Sequence, residues 1–253
     1  MNILKMLCRG DVPAFTCDAA DFDGTNDWME RDADLTGLSD SRTGILSFWI
    51  RLDGGNGAAM RVLGSSGGSY RIAREATDKF NFRLFNAAFT SEFSFSTVNT
   101  YTASGTWLHV LASWDTNATA GNKIAHLYIN DSSDSSVGTD TAAAFDIAYS
   151  QADHAIGAVV GGTSKLDGCL AEFYFAPGQF LDFSNSANRA KFISGGKPVD
   201  LGADGSTPTG TAPIVYQRMA DGAAATTFAT NLGSGGNFTI TGSLDVASTS
   251  PSD

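Results

Sequence analysis

Residues 44–52 read GILSFWIRL, and apolar side chains occupy every second position of this stretch. In an extended chain, one face would carry Leu46, Phe48, Ile50 and Leu52. The opposite face would carry Ser47, Trp49 and Arg51. Alternation with a period of two is typical of a β-strand that buries one of its faces. The stretch therefore predicts a strand that contributes its aliphatic and aromatic face to a core.

The same alternation recurs in the sequence on the C-terminal side of this strand. Four further stretches show it: KFNFRLF (79–85), SEFSFST (91–97), WLHVLASWD (107–115) and KIAHLYIN (123–130). Clusters of Gly, Asn, Asp and Ser bound these runs, as expected for turns. Half-buried antiparallel strands at this spacing predict an all-β sandwich or barrel. With 17 Phe and 4 Trp the chain can fill a sizeable core without a metal or disulfides.

One helix is predicted, in residues 184–196 (SNSANRAKFISGG). Ser184 or Asn185 would cap a short body over Ala187–Ile193, and the glycines at 195 and 196 would end it. At about ten residues it would be a surface element that does not organise the fold.

A polar, turn-rich stretch at 197–213 raises the question of a second domain. The residues that follow are too few to bury a core of their own. We therefore interpret PIVYQRM (213–219) and NFTITGSLDV (237–246) as strands of the same sandwich. The prediction is an N-terminal arm over 1–20 and one sandwich over 21–253, to which the segment from about 212 to 253 returns.

Charge and the N-terminal residues exclude several kinds of partner. The formal net charge is −11 and no stretch concentrates Lys or Arg, so a nucleic-acid partner is not expected. The apolar run from Ile3 to Leu7 is interrupted by Lys5 and is too short for a signal-peptide core or a membrane span. We expect neither a membrane segment nor an export signal.

Cys8 and Cys17 are close enough to pair, whereas the odd total of three cysteines favours free thiols.

Several fragments resemble the laminin G-like, concanavalin A-like lectin/glucanase superfamily. They are DFDGTNDWM (21–29), TGILSFWIRLD (43–53), GTWLHVLASWD (105–115), HLYIND (126–131) and AIGAVVGGTSKLDGCLAEFYFAPG (155–178). The resemblance implies a jelly-roll sandwich of two antiparallel sheets. Residues 213–242 resemble a unit that usually precedes the first of these motifs, yet here this unit comes last. Because sandwich termini generally lie close together, such a permutation is physically tolerable.

The permuted order resembles tailed-bacteriophage proteins that carry this fold as a virion component. It implies a virion structural protein, namely a decoration, spike or fibre-type subunit at the virion surface, made in the host cytoplasm without a signal peptide. Its partners would be other virion proteins of capsid or tail, and it would form a homo-oligomer. In the N-terminal arm, we predict docking on a neighbouring subunit through Ile3, Leu4, Lys5, Met6, Leu7 and Arg9. Alternatively, the arm is an edge strand of the sandwich.

A second interpretation is a carbohydrate-binding module for host surface glycans. Such a site needs an exposed aromatic platform beside a few polar groups. The candidate platform residues are Trp28, Trp49, Tyr70 and Trp107; alternatively, these rings pack the sandwich.

Glycosidases also belong to the superfamily, but their chemistry needs two neighbouring carboxylates. The four Glu, at positions 30, 75, 92 and 172, are isolated. We interpret Glu172 as a surface charge on a strand and predict no enzymatic activity. Residues 64–68 (GSSGG) match G-x-S-x-G, but the strand-like SYRIAR that follows predicts a hairpin instead of a nucleophile elbow.

Calcium is the remaining candidate ligand, since the resemblance extends to relatives that bind it with loop carboxylates. Two loops offer such groups: DAADFDGTND (18–27), with Asp21, Asp23 and Asp27, and NDSSDSS (130–136), with Asp131 and Asp134. Neither follows the EF-hand spacing, and Asp-Gly and Asn-Asp pairs are equally typical of β-turns. The turn interpretation is favoured, so no cofactor is predicted.

Overall fold

A computed structural model describes residues 15–253 of the chain. The strands of this part are β1 (Ala20–Asp23), β2 (Trp28–Arg31), β3 (Thr43–Leu52), β4 (Met60–Ser65), β5 (Tyr70–Arg74), β6 (Phe80–Phe85), β7 (Glu92–Ser96), β8 (Trp107–Asp115), β9 (Ile124–Ile129), β10 (Ser132–Ser133), β11 (Ser136–Asp140), β12 (His154–Ile156), β13 (Asp167–Pro177), β14 (Ile193–Ser194), β15 (Lys197–Pro198), β16 (Val215–Gln217), β17 (Thr239–Thr241) and β18 (Asp245–Val246).

Two eight-stranded antiparallel sheets form the sandwich, which confirms the predicted fold class. The first sheet has the order β10-β9-β8-β3-β13-β1-β18, with β16 also paired to β13. The second has the order β11-β7-β6-β5-β4-β12-β2-β17, and β14 and β15 form a separate hairpin. Phe48 and Phe173 stack at a centroid distance of 5.9 Å between β3 and β13. Phe82 and Phe95 stack at 4.7 Å between β6 and β7.

The outer face of the first sheet is covered, unlike that of a half-buried sheet. Residues of the connection after β13, namely Phe183, Phe192 and Leu201, pack on this face against Ile45 and Tyr174. As a result, β3 and β13 are buried on both faces over almost their whole length. The alternation in residues 44–52 predicts the core face correctly but does not reveal that the other face is covered too. The outer face of β4–β7 in the second sheet retains half-exposed polar side chains.

The helix is shorter than predicted. α1 spans Ser186–Arg189 and is capped by Asn185, whose side-chain oxygen accepts a hydrogen bond from the Ala187 amide. The chain leaves the helix before Phe192, which is buried, and Ile193 already begins β14. Two 3₁₀ turns, Ser66–Gly68 and Ala225–Ala229, complete the helical elements of residues 15–253. None of these elements has the length and apolarity needed to cross a bilayer.

The C-terminal segment contributes strands to both large sheets. β16 pairs with β13, β17 with β2, and β18 with β1. Three side chains of this segment, Val215, Phe228 and Phe238, are buried in the same core as the central strands. Burial of such a side chain contributes about 1.5–3 kcal/mol. The last strands of the chain therefore stabilise the sandwich.

Candidate functional site

A row of polar residues crosses the outer face of the second sheet. On this face Arg71 of β5 lies directly opposite Arg83 of β6, and Arg83 lies opposite Ser94 of β7. On the other side of Arg71, its partner on β4 is Gly64. A β-carbon at Gly64 would lie 3.3 Å from Cδ of Arg61. The small residue thus leaves room for the Arg61 side chain to lie along the sheet beside Arg71.

Two adjoining cavities follow this row. One, of about 360 Å³, lies beside the 3₁₀ turn Ser66–Gly68 and is closed on its far side by residues 159–160. The other, of about 490 Å³, is a shallow polar trough over β5–β7. Arg61 and Arg71 line both cavities, so the two form one continuous depression. We call it the arginine groove. Its lining side chains with ionic or hydrogen-bonding groups include Arg61, Ser66, Arg71, Glu75, Thr77, Asn81, Arg83, Glu92, Ser94 and Thr139.

Only some of the guanidinium groups in the arginine groove are paired with a carboxylate. Arg83 is paired with Glu92, with Nε 2.6 Å from Oε1. Nη1 of Arg61 and Nε of Arg71 are buried and have no hydrogen-bond partner among residues 15–253. Burial lowers the pKa of Arg61, and proximity to Glu75 only partly opposes this effect, while Arg83 adds to it. The groove therefore holds guanidinium groups that lack a full set of acceptors.

Two aromatic rings lie beside residues that line the arginine groove. The guanidinium carbons of Arg71 and Arg83 lie 5.9 and 5.2 Å from the ring centroid of Phe85. Phe89 packs on Phe85 at a centroid distance of 5.4 Å, and half of its surface remains exposed (50%). Such distances are typical of cation–π and tilted aromatic contacts. A β-carbon at Gly67, which lines the groove, would lie 3.9 Å from Cζ of Phe89, so the exposed ring is next to the groove.

Phe89 is held in an unusual backbone conformation. Its φ is +55°, in the left-handed region that residues other than glycine seldom occupy. The turn around it is fixed by Asn86, whose Oδ1 accepts hydrogen bonds from the amides of Thr90 at 2.9 Å and Ser91 at 3.2 Å. Strained residues of this kind are concentrated at binding and active sites. The chain thus holds an exposed aromatic ring in place although the backbone conformation at Phe89 is unfavourable.

The predicted platform of four aromatic residues is wrong. Trp49 is only 3% exposed and Tyr70 is fully buried, so neither can face a ligand. Trp28 and Trp107 are half-buried but lie in different sheets, on β2 and β8. The indole Nε1–H of Trp28 donates to Glu30 at 2.9 Å, and that of Trp107 to Thr249 at 3.2 Å. Sequence reasoning missed Phe85 and Phe89 because it considered only Trp and Tyr for the platform.

The carboxylates of the first candidate calcium loop have protein partners. Asp23 accepts hydrogen bonds from the amides of Thr25 at 2.8 Å and Asn26 at 3.0 Å, which is a turn-capping arrangement. Asp27 is buried and accepts a hydrogen bond from the Ser243 amide at 2.7 Å. These contacts join the loop to the turn before β18.

Asp21 lies apart from that turn. Its carboxylate approaches Asp53 and Cys169, with one ligand atom of each residue within 4.8 Å of the others. Arg51 forms a bidentate ion pair with Asp53, with Nε and Nη2 each 2.8 Å from a carboxylate oxygen. A guanidinium in this position supplies the positive charge that a cation would otherwise provide.

The second candidate loop also engages protein groups. Asp134 is buried, and its carboxylate accepts hydrogen bonds from the amides of Val98 and Asn99 and from the Tyr101 hydroxyl. Burial alone would raise the pKa of Asp134, but these hydrogen bonds lower it. Asp131 instead pairs with Arg189, at 2.5 Å. The two carboxylates thus have separate partners and do not converge on one point in this loop.

Glu172 is not the surface charge that its strand position predicts. It is 3% exposed, and its φ of +46° marks the bulge where the β13–β3 register shifts between Ala171 and Tyr174. The Tyr216 hydroxyl donates to Oε2 at 2.8 Å, whereas Oε1 has no partner among residues 15–253. Burial raises the pKa of Glu172 to about 7, against the opposing effects of the Tyr216 hydrogen bond and Arg218. The covering of the first sheet's outer face explains the wrong prediction.

The remaining sequence motifs do not form a catalytic constellation in the described part of the chain. Residues 66–68 of the G-x-S-x-G match form a turn between β4 and β5, as expected for a hairpin. His109 is buried with Nε2 2.9 Å from Ser47 Oγ, and His154 is buried against the Tyr70 hydroxyl. The predicted assembly residues Ile3, Leu4, Lys5, Met6, Leu7 and Arg9 lie outside the described residues, as does Cys8.

Comparisons with known proteins agree with this architecture. Residues 23–178 match the family described as the Concanavalin A-like lectin/glucanases superfamily, a laminin G-type family. No curated protein matches the sequence. A putative carbohydrate-binding protein from Bacteroides ovatus has a TM-score of 0.58 and 11% sequence identity; the match covers 91% of this chain and 59% of that protein.

Two further structures are similar at lower scores. A heptameric SAP-like pentraxin from Limulus polyphemus has a TM-score of 0.49 and 14% identity, over 66% of this chain and 79% of the pentraxin. Domains LG4-5 of the mouse laminin alpha1 chain have a TM-score of 0.45 and 13% identity, over 68% of this chain and 45% of that one. The similarity to the Bacteroides ovatus protein, at 11% identity, shows a common fold alone.

Proposed function

Because the chain belongs to the Concanavalin A-like lectin/glucanases superfamily, we propose that it binds glycans without cleaving them and that the arginine groove is its binding site. The fold alone does not define a function, so the proposal depends on the groove itself. Its position on the outer face of the second sheet supports this assignment, because the outer face of the first sheet is covered. A concave surface with convergent polar groups and aromatic rings is the usual form of a small-ligand site.

One observation carries the proposal: Phe89, an exposed aromatic residue, is held with φ +55° against Phe85, next to the groove residue Gly67. The aliphatic face of a sugar ring can pack on such an aromatic surface, and its hydroxyls need hydrogen-bonding groups nearby. The groove supplies them with Asn81, Ser94 and Thr139. The combination suits a ligand that is apolar on one face and polar around its edge.

Binding without hydrolysis follows from the positions of the carboxylates. Retaining glycosidases need two carboxyl groups about 5–5.5 Å apart on either side of the scissile bond. In the groove, Glu92 is engaged by Arg83 and lies opposite Phe85. The backbone amide of Glu75 instead donates to the carbonyl of Lys79, which is six residues or about 20 Å from Phe85 along the strand. Glu172 is enclosed under the cover of the first sheet, where its hydrogen-bond partner is Tyr216. We infer that a bound oligosaccharide stays intact.

The virion role rests on the resemblance of the sequence to bacteriophage proteins and stays a prediction, together with the expected homo-oligomer and virion partners. It does not conflict with glycan binding, since a surface subunit can contact host glycans. The permuted C-terminal unit returns to the same sheets, because the last strands β17 and β18 lie beside β2 and β1. Location and copy number in purified particles would test the virion role separately.

The experiment for glycan binding is a screen of an immobilised glycan array with the wild-type chain, followed by calorimetry on each positive glycan. We expect Phe89→Ala to weaken binding by about tenfold or more, which corresponds to about 1.4 kcal/mol. Leu232→Ala is the matched control, because Leu232 is also a partly exposed apolar residue (37%) but lies in a separate depression. The ligand should be recovered without new reducing ends. Absence of binding to every glycan, or equal binding by both variants, would contradict the proposal.

A further inference from the structure

We propose that the arginine groove selects saccharides that carry a carboxylate, such as uronic or sialic acid residues, an inference that rests on the glycan-binding function proposed above. The carboxylate would lie between Arg61 and Arg71, and the sugar ring would extend toward Phe89. Four features of the groove support this assignment.

The first feature is the unused donor capacity of the two arginines. Nη1 of Arg61 and Nε of Arg71 are buried without a hydrogen-bond partner among the residues that the structure describes. A buried donor on a charged group destabilises a protein when it lacks an acceptor. In the same groove Arg83 has its own carboxylate in Glu92, so the unmatched charge lies at Arg61 and Arg71.

The second feature is the convergence of like charges. Arg71 and Arg83 are direct cross-strand partners, and Gly64 allows Arg61 to lie beside them. Like charges directly opposite each other on a sheet are unfavourable. An anion between them would turn this repulsion into attraction. A planar carboxylate also matches the forked geometry of a guanidinium, which can donate two parallel hydrogen bonds to it.

The third feature is the position of acidic groups, which limits how much negative charge the ligand can carry. Glu75 and Glu92 line the same groove as the arginines. The whole chain has a formal net charge of −11. A long polyanion would meet both the two glutamates and this overall field. A single carboxylate on an otherwise hydroxylated ring would not.

The fourth feature is the environment of Arg61. Burial lowers its pKa, Glu75 opposes the shift and Arg83 adds to it. The protein therefore keeps a cation where solvation is poor and its carboxylate neighbour compensates only in part. A ligand carboxylate would supply the missing compensation.

The test compares each acidic glycan with its own neutral counterpart. Oligosaccharides that carry a single carboxylate, as a galacturonate, glucuronate or sialic acid residue, are paired with the same molecules after reduction of the carboxyl group to a hydroxymethyl group. Calorimetry with the wild-type chain should show binding of an acidic member about tenfold or more tighter than its neutral partner, consistent with a charge-assisted hydrogen bond. Added salt should reduce this preference. This comparison needs no variant and is unaffected by folding defects.

Variants then assign the preference to the two arginines. Arg61→Gln and Arg71→Gln should each remove most of the preference for the acidic member of a pair over its neutral partner. Arg71→Lys should retain part of it, because lysine keeps the charge but lacks the fork. Arg42→Gln is the control, because Arg42 forms an exposed pair with Asp146 at 2.9 Å and does not line the groove.

Each remaining outcome contradicts a different statement. Equal affinity for acidic and neutral partners would overturn the inference and leave the proposed function in place. Binding of neither member in any pair, together with a negative array, would overturn both. Preference for sulfated sugars, single-stranded DNA or a phosphopeptide over every carboxylated sugar would overturn the ligand class. An acidic preference that survives in both glutamine variants would overturn the site.

Discussion

Arg71 and Arg83 lie directly opposite each other on β5 and β6, with both side chains in the arginine groove. Only Arg83 has a carboxylate partner, Glu92 at 2.6 Å. The repulsion between the two guanidinium groups is not relieved on the side of Arg71, because the cross-strand partners of Arg71 are Gly64 and Arg83. The proposed binding of a carboxylate between Arg61 and Arg71 would offset this repulsion.

We therefore expect Arg71→Gln to stabilise the free chain, by about 0.2–1 kcal/mol. The reason is that the cross-strand repulsion and an unpaired buried donor disappear together. Arg83→Gln is the matched comparison on the facing strand. It should give no such gain, since it also removes the ion pair with Glu92. Urea unfolding at low ionic strength measures both. A lower free energy of unfolding for Arg71→Gln would show that Arg71 stabilises the sheet.

A second prediction concerns the turn that presents Phe89. Two variants, Phe89→Asn and Phe89→Ala, should lose glycan binding equally, because both remove the ring. Their stabilities should differ, however. Asn is tolerated in the left-handed conformation at φ +55°, whereas Ala is strained there by about 1–2 kcal/mol. Thermal unfolding should thus rank Asn above Ala by about 1 kcal/mol. Equal stability would indicate that the turn relaxes when the ring is removed.

The sequence predicts those parts of the fold that depend on local alternation. The predicted strand 107–115 has the observed bounds of β8, Trp107–Asp115. Prediction from the sequence fails where residues that are distant in the chain determine whether a side chain is buried. Glu172 occupies a strand position that looks solvent-facing, but the first sheet is covered by residues such as Phe192, which lie outside that strand.

The candidate site depends on which residues of neighbouring strands lie opposite each other. The sequence pattern within one strand does not reveal this pairing. Arg71 and Arg83 each occupy an outward position in their own strands, and this much is visible in the alternation of residues 70–85. That they are direct partners follows only from the pairing of β5 with β6. The left-handed φ of Phe89 is likewise set by the Asn86 turn, which carries no glycine.

A third prediction uses the buried carboxyl group of Glu172. Its pKa in the folded state is about 7, above the value of 4.5 expected for an exposed Glu. The folded protein therefore binds more protons than the unfolded chain between these values, and stability falls as pH rises from about 4.5 to 7. At about 1.4 kcal/mol per pKa unit, this costs about 3 kcal/mol above pH 7.

Glu172→Gln should remove this pH dependence, because Gln stays neutral and its oxygen can still accept from Tyr216. Relative to the wild type, the variant should gain stability at pH 8 and lose the gain at pH 4. Tyr216→Phe is the control, because it removes the hydrogen bond to Oε2 but keeps the buried carboxyl group, and it should retain the slope. Parallel stability–pH curves for wild type and Glu172→Gln would contradict the burial of an ionisable group at this position.

The last prediction concerns the C-terminal segment. Truncation after Pro198 removes β16, β17 and β18, which pair with β13, β2 and β1. It also removes Phe228 from the core, where its ring lies 6.5 Å from that of Phe22. Uncovered strand edges and an open core promote aggregation, so we expect the 1–198 fragment to be insoluble or to lack cooperative unfolding.

A point variant separates this core contribution from the exposed edges. Phe228→Ala in the full chain keeps all strands and should lower the free energy of unfolding by about 3–5 kcal/mol. Val246→Ala is the control, because Val246 lies in β18 but is 48% exposed, and its effect should be below about 0.5 kcal/mol. Chemical denaturation followed by tryptophan fluorescence measures both. A soluble 1–198 fragment that unfolds cooperatively, together with a small effect of Phe228→Ala, would mean that residues 199–253 pack on a sandwich that is already complete without them.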